Sequence, residues 1–191
     1  PTLTPMSGNP IQHIILDRDG VINADSDQFI KNPDEWQPIE GSLEAIARLK
    51  QAGFLVGIAS NQSGIARELF DFATLNAMHA KLQQYLAKLG AHVDMIAFCP
   101  HKSEDRCDCR KPLPGLYQQL AQRWNIELDG IPVIGDSLRD LEAARAVNAC
   151  PILLLTGKGQ KTREQVPESW HVPVYDNLSQ AVDHLLEDAS C

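Results

Sequence analysis

Five polar residues carry the groups that phosphoryl transfer requires, and each of them follows an apolar run or opens a predicted helix. They are Asp17, Asp19, Ser60, Lys111 and Asp136. A carboxylate can attack phosphorus to form an aspartyl phosphate, which divides one difficult hydrolysis into two displacements. Asp17 is the predicted nucleophile, because it stands directly after an apolar run. A single aspartate after a strand is more often a turn former or a helix cap, so the prediction depends on the whole set.

The other members of the set would supply a metal, a proton and positive charge. Two anions that approach each other need neutralisation, which Mg²⁺ held by oxygen ligands provides. The predicted magnesium ligands are the carboxylates of Asp17 and Asp136 and the backbone oxygen of Asp19. This arrangement leaves the Asp19 side chain free to protonate the leaving oxygen and then to activate water. Lys111 and Ser60 are expected to hold the phosphoryl oxygens.

A second set of metal ligands is crowded into residues 99–109, which form a short, turn-rich segment. It consists of Cys99, His101, Cys107 and Cys109. A Cys-x-His pair followed by a Cys-x-Cys pair supplies the four ligands of a closed tetrahedral zinc site, so the predicted zinc is structural. Three incidental thiols and a surface histidine are the alternative. The segment ends beside Arg110 and Lys111, so bound zinc would fix both basic groups in place.

The elements that must position these residues follow from the hydrophobic pattern. Apolar runs of strand length alternate with segments of helical period, which predicts an α/β fold, a Rossmann-like three-layer sandwich with a mostly parallel sheet. The predicted strands are 13–16, 54–59, 93–98, 131–134, 151–155 and, more weakly, 172–175. Helices are predicted around 43–49, 75–89, 116–124 and 178–185. Ligands of such sheets bind beyond the carboxyl ends of the strands, where the aspartates are expected.

Composition limits the classes of protein that fit. The chain has 191 residues, 43% of them hydrophobic, which predicts one domain over residues 11–191 after a flexible segment at 1–10. A net charge of -8 argues against nucleic acid or an anionic membrane as a partner. No apolar run is long enough to span a bilayer, and the polar start does not resemble a signal peptide. We therefore expect a soluble cytoplasmic monomer.

The motif from Asp17 to Gly20, with Ser60, Lys111 and Asp136 following in that order, resembles the haloacid dehalogenase superfamily of phosphotransferases. The resemblance covers Ile14 to about Leu155 and implies that the first aspartate is the nucleophile and the second the acid and base. An acid and base at Asp19 favours a phosphatase or a transferase over a true dehalogenase. Many relatives carry an inserted cap domain, but one helix and one strand fill most of the interval before Ser60. We therefore expect short loops to shape the site.

Within that superfamily, the motifs at 60–64, 110–112 and 135–137 and the zinc segment resemble phosphatases of small sugar bisphosphates. The resemblance implies a heptose bisphosphate as substrate, used in making lipopolysaccharide core or surface glycans. It also implies substrate contacts from Asp25, Ser26, Asp27, Gln28, Ser60, Asn61, Gln62, Ser63, Arg110 and Lys111. The segment 26–28 reads Ser-Asp-Gln, where that group often has His-Gly-Tyr. Two alternatives remain: a histidinol-phosphate phosphatase, which shares both metal motifs, and a non-catalytic zinc-stabilised binding module.

Overall fold

A computed structural model describes residues 10–187, so the predicted flexible segment at 1–10 lies almost wholly outside the described residues. The strands are β1 His13–Leu16, β2 Leu55–Asn61, β3 Met95–Cys99, β4 Pro132–Gly135, β5 Cys150–Leu154 and β6 Val174–Tyr175. The α-helices are α1 Ser42–Gln51, α2 Phe72–Ala87, α3 Gly115–Trp124, α4 Leu138–Ala146, α5 Gly159–Arg163 and α6 Leu178–Glu187. Short 3-10 helices lie at Ser103–Asp105 and Glu168–Trp170.

The six strands form one parallel sheet in the order β3-β2-β1-β4-β5-β6, which confirms the predicted α/β fold. Leu16 of β1 pairs with Ile58 on one side and with Ile134 on the other. From β1 the chain adds strands outward to β3, and it then returns to add strands in the opposite direction from β4. The carboxyl ends of β1 and β4 therefore flank the switch point at which open α/β sheets bind ligands.

Helices cover both faces of the sheet, because successive side chains of a strand point to opposite faces. Ile14 and Leu16 are fully buried in a cluster with the apolar faces of α1, α2 and α6. Ile15, between them in sequence, is fully buried in the other cluster, against α3 and α4. The result is the predicted three-layer sandwich, with β1 at its centre.

Several element boundaries differ from the predicted ones. β2 continues to Asn61 and β3 to Cys99, whereas the apolar runs predict ends at residues 59 and 98. The extra residues are polar or carry a thiol, so an apolar run does not include them. The hydrophobic pattern also does not predict α4 or α5. The buried face of α4 consists of Leu141 with two alanines and Asp140, which gives a weak apolar period.

The segment between β1 and α1, residues 17–41, contains no helix or strand, only isolated bridges from Asn23 to Asp19 and Pro38. The part of the chain that the structure describes thus contains no cap domain. The segment packs closely instead, with Val21, Ile22 and Trp36 fully buried. Among residues 10–187, no helix has the length and apolar character that a membrane crossing requires.

Candidate active site

Asp17 and Asp136 lie at the switch point, directly after β1 and β4. The backbone N–H of Asp17 donates to the carbonyl of Ile134 at 2.9 Å, which joins the two strand ends. Gly20 has a φ of +84°, and a Cβ there would lie 2.0 Å from Oδ2 of Asp136, so only glycine fits this turn. Gly20 thereby lets the loop after β1 approach Asp136 closely.

A third carboxylate, that of Asp140 in the first turn of α4, joins the site, and the sequence did not predict it. Each of Asp17, Asp136 and Asp140 offers an oxygen within 4.8 Å of the others. Oδ2 of Asp140 accepts from the N–H groups of Asp136 at 3.2 Å and Ser137 at 3.1 Å. Ser137 is the N-cap of α4, so the pattern Ser-x-x-Asp was the available signal, both for the helix and for this carboxylate.

Lys111 is buried between two of these carboxylates. Its Nζ donates to Oδ1 of Asp140 at 2.6 Å and to the carbonyl of Ala59 at 2.8 Å, and it lies 3.1 Å from Oδ1 of Asp17. Burial alone would lower the pKa of Lys111, but Asp140 and Asp17 outweigh that effect and raise it. The Asn61 side chain holds the Lys111 backbone, with 3.0 Å hydrogen bonds to both its N–H and its carbonyl. A fixed ammonium group results.

The surroundings of Asp17 and Asp136 disfavour the ionised form of both carboxyl groups. Burial raises the pKa of Asp17 well above its usual range, the neighbouring Asp140 adds to this, and Lys111 only partly opposes it. Burial and then Asp140 raise the pKa of Asp136 to about 7. A divalent cation between these carboxylates would offset both effects, and hard oxygen donors are the ligands that Mg²⁺ prefers. The donor set therefore fits the predicted magnesium.

Asp19 has a different environment, because buried cationic and amide donors surround it. Its Oδ1 accepts from Arg18 Nη2 at 2.7 Å and from Asn23 Nδ2 at 2.9 Å, and its Oδ2 accepts from Gln62 Nε2 at 3.0 Å. Burial alone would raise the pKa of Asp19, but Arg18 and these hydrogen bonds lower it overall. The fully buried Arg18 also contacts His79 of α2, with Nη1 3.2 Å from Nε2. Neither Arg18 nor His79 was among the predicted site residues.

These groups open into a cavity of about 230 Å³. The predicted residues that line it are Asp17, Asp19, Asp25, Ser26, Asp27, Asn61, Gln62, Ser63, Arg110, Lys111 and Asp136. Ser60 and Gln28 do not line it. Ser60 is buried, with its hydroxyl accepting from Gln62 at 2.8 Å, and Gln28 is exposed. Lining residues that the sequence did not predict are Phe29, Ile30, Arg67, Ser137, Arg139, Asp140 and Lys158.

The four predicted zinc ligands meet beside this cavity, with all four ligand atoms within 4.8 Å of one another. Sγ of Cys109 lies 3.0 Å from that of Cys99 and 3.4 Å from Nδ1 of His101, and Cys107 lies 3.6 Å from Cys99. Burial raises the pKa of Cys99 and Cys109, an effect that a bound cation would reverse. Cys99 ends β3, and the segment then leads to Arg110 and Lys111.

A family model described as haloacid dehalogenase-like hydrolase matches residues 9–148. The chain belongs to this family, which confirms the family and the enzyme class predicted from the sequence, a phosphoric monoester hydrolase. Among its relatives are two proteins named D-glycero-beta-D-manno-heptose-1,7-bisphosphate 7-phosphatase. The one from Bordetella bronchiseptica is 53% identical over 178 residues, which cover 92% of this chain and 98% of the relative. The one from Pseudomonas aeruginosa is 51% identical over 175 residues, 91% of this chain and 97% of the relative.

Solved structures of related phosphatases share the fold of this chain. The crystal structure of D,D-heptose 1,7-bisphosphate phosphatase from B. bronchiseptica, complexed with magnesium and phosphate, superimposes with a TM-score of 0.89 at 52% identity. The match covers 93% of this chain and 99% of that one. The corresponding phosphatase from Burkholderia thailandensis gives a TM-score of 0.73 at 42% identity, over 93% and 99% of the two chains.

Proposed function

We propose that this chain is a magnesium-dependent phosphatase that removes the 7-phosphate from D-glycero-β-D-manno-heptose 1,7-bisphosphate through an aspartyl phosphate on Asp17. The observation that carries the proposal is the meeting of Asp17, Asp136 and Lys111 at the switch point of the sheet. A relative that matches nearly the whole chain was crystallised with magnesium and phosphate, which supports the phosphate chemistry. The substrate and its β anomer are supported by the names of the relatives from B. bronchiseptica and P. aeruginosa.

In the first step, a carboxylate oxygen of Asp17 would attack phosphorus, and the bond to the sugar oxygen would break. Hydrogen bonding from the Arg18 N–H at 2.8 Å and the proximity of Lys111 fix the orientation of this carboxylate. Asp17 and Asp136, with the backbone oxygen of Asp19, would hold Mg²⁺, which supplies neutralisation of the phosphate charge. Lys111 would balance the remaining charge on the phosphoryl oxygens.

Asp19 would donate a proton to the leaving sugar oxygen and recover one from the water that hydrolyses the aspartyl phosphate. Its lowered pKa keeps the resting carboxyl ionised, which is the form required for water activation. A phosphate dianion bound beside it raises the proton affinity of Asp19, because like charges disfavour ionisation. The Asp19 side chain remains close to the cavity, held there by Arg18, Asn23 and Gln62.

Zinc on Cys99, His101, Cys107 and Cys109 would be structural, because four protein ligands leave no position for water. The segment it closes supports the basic side of the site, since Nη1 of Arg110 donates to the carbonyl of His101 at 3.2 Å. We further propose a single domain over residues 11–191 that acts as a cytoplasmic monomer on a small soluble sugar phosphate, without nucleic acid or membrane as partner. The acidic net charge supports the last point.

The test is an assay of purified protein with Mg²⁺ on both anomers of heptose 1,7-bisphosphate and on histidinol phosphate, with Asp17→Asn as the control. We expect the highest kcat/KM for the β anomer and turnover reduced by at least about 1,000-fold in Asp17→Asn, since that variant lacks the nucleophile. A preference for histidinol phosphate would overturn the substrate. Equal activity in wild type and Asp17→Asn would overturn the mechanism.

A further inference from the structure

The residues that follow β5, 155–163, hold Asp136 in two ways and are here called the β5–α5 segment. The backbone N–H of Lys158 donates to Oδ2 of Asp136 at 2.9 Å. The hydroxyl of Thr162, a residue that is only 3% exposed, donates to the backbone carbonyl of Asp136 at 2.8 Å. One segment therefore fixes both the carboxylate and the main chain of a predicted magnesium ligand. None of the site residues predicted from the sequence lies in this segment.

Two glycines from different loops enclose Oδ2 of Asp136. Gly157 has a φ of +55°, and a Cβ there would lie 2.2 Å from this oxygen and 2.6 Å from Cα of Gly20. Gly20 approaches the same oxygen from the loop after β1. The hydroxyl of Thr156 joins the two loops, because it donates to the carbonyl of Gly20 at 2.6 Å. The loop after β1 and the β5–α5 segment thus meet at the Asp136 carboxylate.

These contacts distinguish the two oxygens of the Asp136 carboxylate. Oδ2 already accepts from the Lys158 N–H, and the close approach of Gly20 and Gly157 leaves little space beside it. Oδ1 is then the oxygen available to a cation shared with Asp17. A carboxylate held in one orientation binds a metal more tightly than a mobile one, because less conformational freedom is lost on binding.

We propose that Thr156, Gly157 and Thr162 are positioning residues that set the affinity of the site for Mg²⁺. They act through Asp136, because they present its Oδ1 to the metal while Oδ2 stays hydrogen-bonded to the backbone. This inference rests on the proposed function, which requires the magnesium. None of the three residues is itself a metal ligand, and loss of such an outer partner typically lowers metal affinity by about 10- to 100-fold.

The first experiment compares Gly157→Ala with Gly90→Ala. Both positions have positive φ, +55° and +70°, so both variants carry left-handed strain, but a Cβ at residue 90 meets no atom within 4 Å. The Mg²⁺ midpoint is the concentration that half-maximally raises Tm without substrate, and it is measured again by activation of p-nitrophenyl phosphate hydrolysis. We expect this midpoint to rise at least about 10-fold in Gly157→Ala and less than about 2-fold in Gly90→Ala, because only the first displaces Asp136.

The second experiment removes one hydroxyl at a time, in Thr156→Val and Thr162→Val, and restores it in the corresponding serine variants. The control is Thr74→Val, which removes a 2.7 Å hydrogen bond from the Thr74 hydroxyl to Asp71 at the start of α2. We expect the Mg²⁺ midpoint to rise about 3- to 10-fold in the two site valine variants, as the loss of one hydrogen bond predicts. The serine variants and the control should stay within about 2-fold of wild type. At saturating Mg²⁺ the activity of the site valine variants should recover.

A purely structural role gives a different result. If Gly157→Ala and Thr162→Val lower Tm but keep the wild-type Mg²⁺ midpoint, the inference is overturned. Equal midpoints in the valine and serine variants also overturn it, since the hydroxyl would then have no effect on the metal. If Thr162→Val does not fold, the half-buried Thr156 and Gly157 decide the outcome in the same way.

Failure of the proposed function is distinguishable from failure of this inference. If the wild type binds Mg²⁺ and hydrolyses p-nitrophenyl phosphate but not heptose 1,7-bisphosphate, the proposed substrate is overturned and the inference stands. If Mg²⁺ neither raises the Tm of the wild type nor activates hydrolysis, both are overturned. If heptose 1,7-bisphosphate is hydrolysed and all variants share the wild-type midpoint, only the inference is overturned.

Discussion

Lys111 and Asp140 form a buried ion pair on which both the stability and the chemistry of the site depend. Each side chain is only 2% exposed, and Nζ of Lys111 donates to the Asp140 carboxylate at 2.6 Å. The same carboxylate also accepts hydrogen bonds from the backbone N–H groups of Asp136 and Ser137. A charge buried in this way is costly once its partner is removed. Asp140 also holds the strand end that carries Asp136, so one carboxylate positions two groups of the site.

We expect Asp140→Ala to lower the free energy of unfolding by about 1–3 kcal/mol, because Nζ of Lys111 and the backbone N–H groups of Asp136 and Ser137 lose their acceptor while Lys111 keeps Asp17. We expect a fall in kcat as well, since Lys111 then pairs more closely with Asp17, and a smaller loss in Asp140→Asn, which keeps an acceptor. Denaturant unfolding and turnover measure both effects. The control is Asp183→Ala, which breaks an exposed ion pair with Arg48 and should change little. An unchanged unfolding midpoint in Asp140→Ala would contradict the argument.

The sequence predicts those site residues whose position follows from the residues next to them in the chain. Asp17 and Asp136 each follow a short apolar run that ends in a strand, and strand ends converge in a parallel sheet. Arg139 and Arg67 have no such signal, because a surface charge on a helix or loop looks the same whether it faces solvent or a cavity. Whether these two arginines line the cavity depends on which loops the fold brings together.

The element that links the metal motif to the active site is the segment between β3 and α3. The side chain of Asn61, at the end of β2, forms hydrogen bonds with the backbone of Lys111 near the end of this segment. The clustered cysteines and histidine lie in the earlier part of the segment. The sequence predicted these ligands because a local spacing determines them. It placed the ends of β2 and β3 too early, because Ser60, Asn61 and Cys99 are not apolar although they pair within the sheet.

We expect elemental analysis to find about one zinc per chain that survives mild EDTA treatment, whereas activity lost to EDTA returns with Mg²⁺ alone. Replacing Cys107 by serine should lower Tm by about 10 °C or more, since a structural metal contributes several kcal/mol to folding. Cys150→Ser is the matched control, because Cys150 is a free cysteine outside the cluster. Freshly purified protein without zinc, or equal Tm values for the two variants, would refute the structural site.

At the scale of the whole molecule, a buried histidine of α2 contacts the active site through Arg18. His79 lies on the apolar face of α2, and its Nε2 faces the guanidinium of Arg18, which requires the neutral ring with its proton on Nδ1. Burial, and then Arg18, lower the pKa of His79 to about 4 from an ordinary value of 6.5, although Asp19 opposes the shift. The periodicity of α2 predicts the helix but not this contact, which joins residues 61 positions apart.

His79 binds a proton below about pH 6.5 in the unfolded chain, but only near pH 4 in the native protein. Acidification therefore favours the unfolded chain, and the free energy of unfolding falls as the pH is lowered. The contribution is absent at pH 7.5, where both states are neutral, and reaches about 3 kcal/mol near pH 4. Denaturant unfolding from pH 7.5 to 4.5 should therefore show that His79→Gln, which keeps an acceptor for Arg18, loses less stability on acidification than wild type. The exposed His171→Gln is the control. Parallel curves for wild type and His79→Gln would show that the ring is not held neutral.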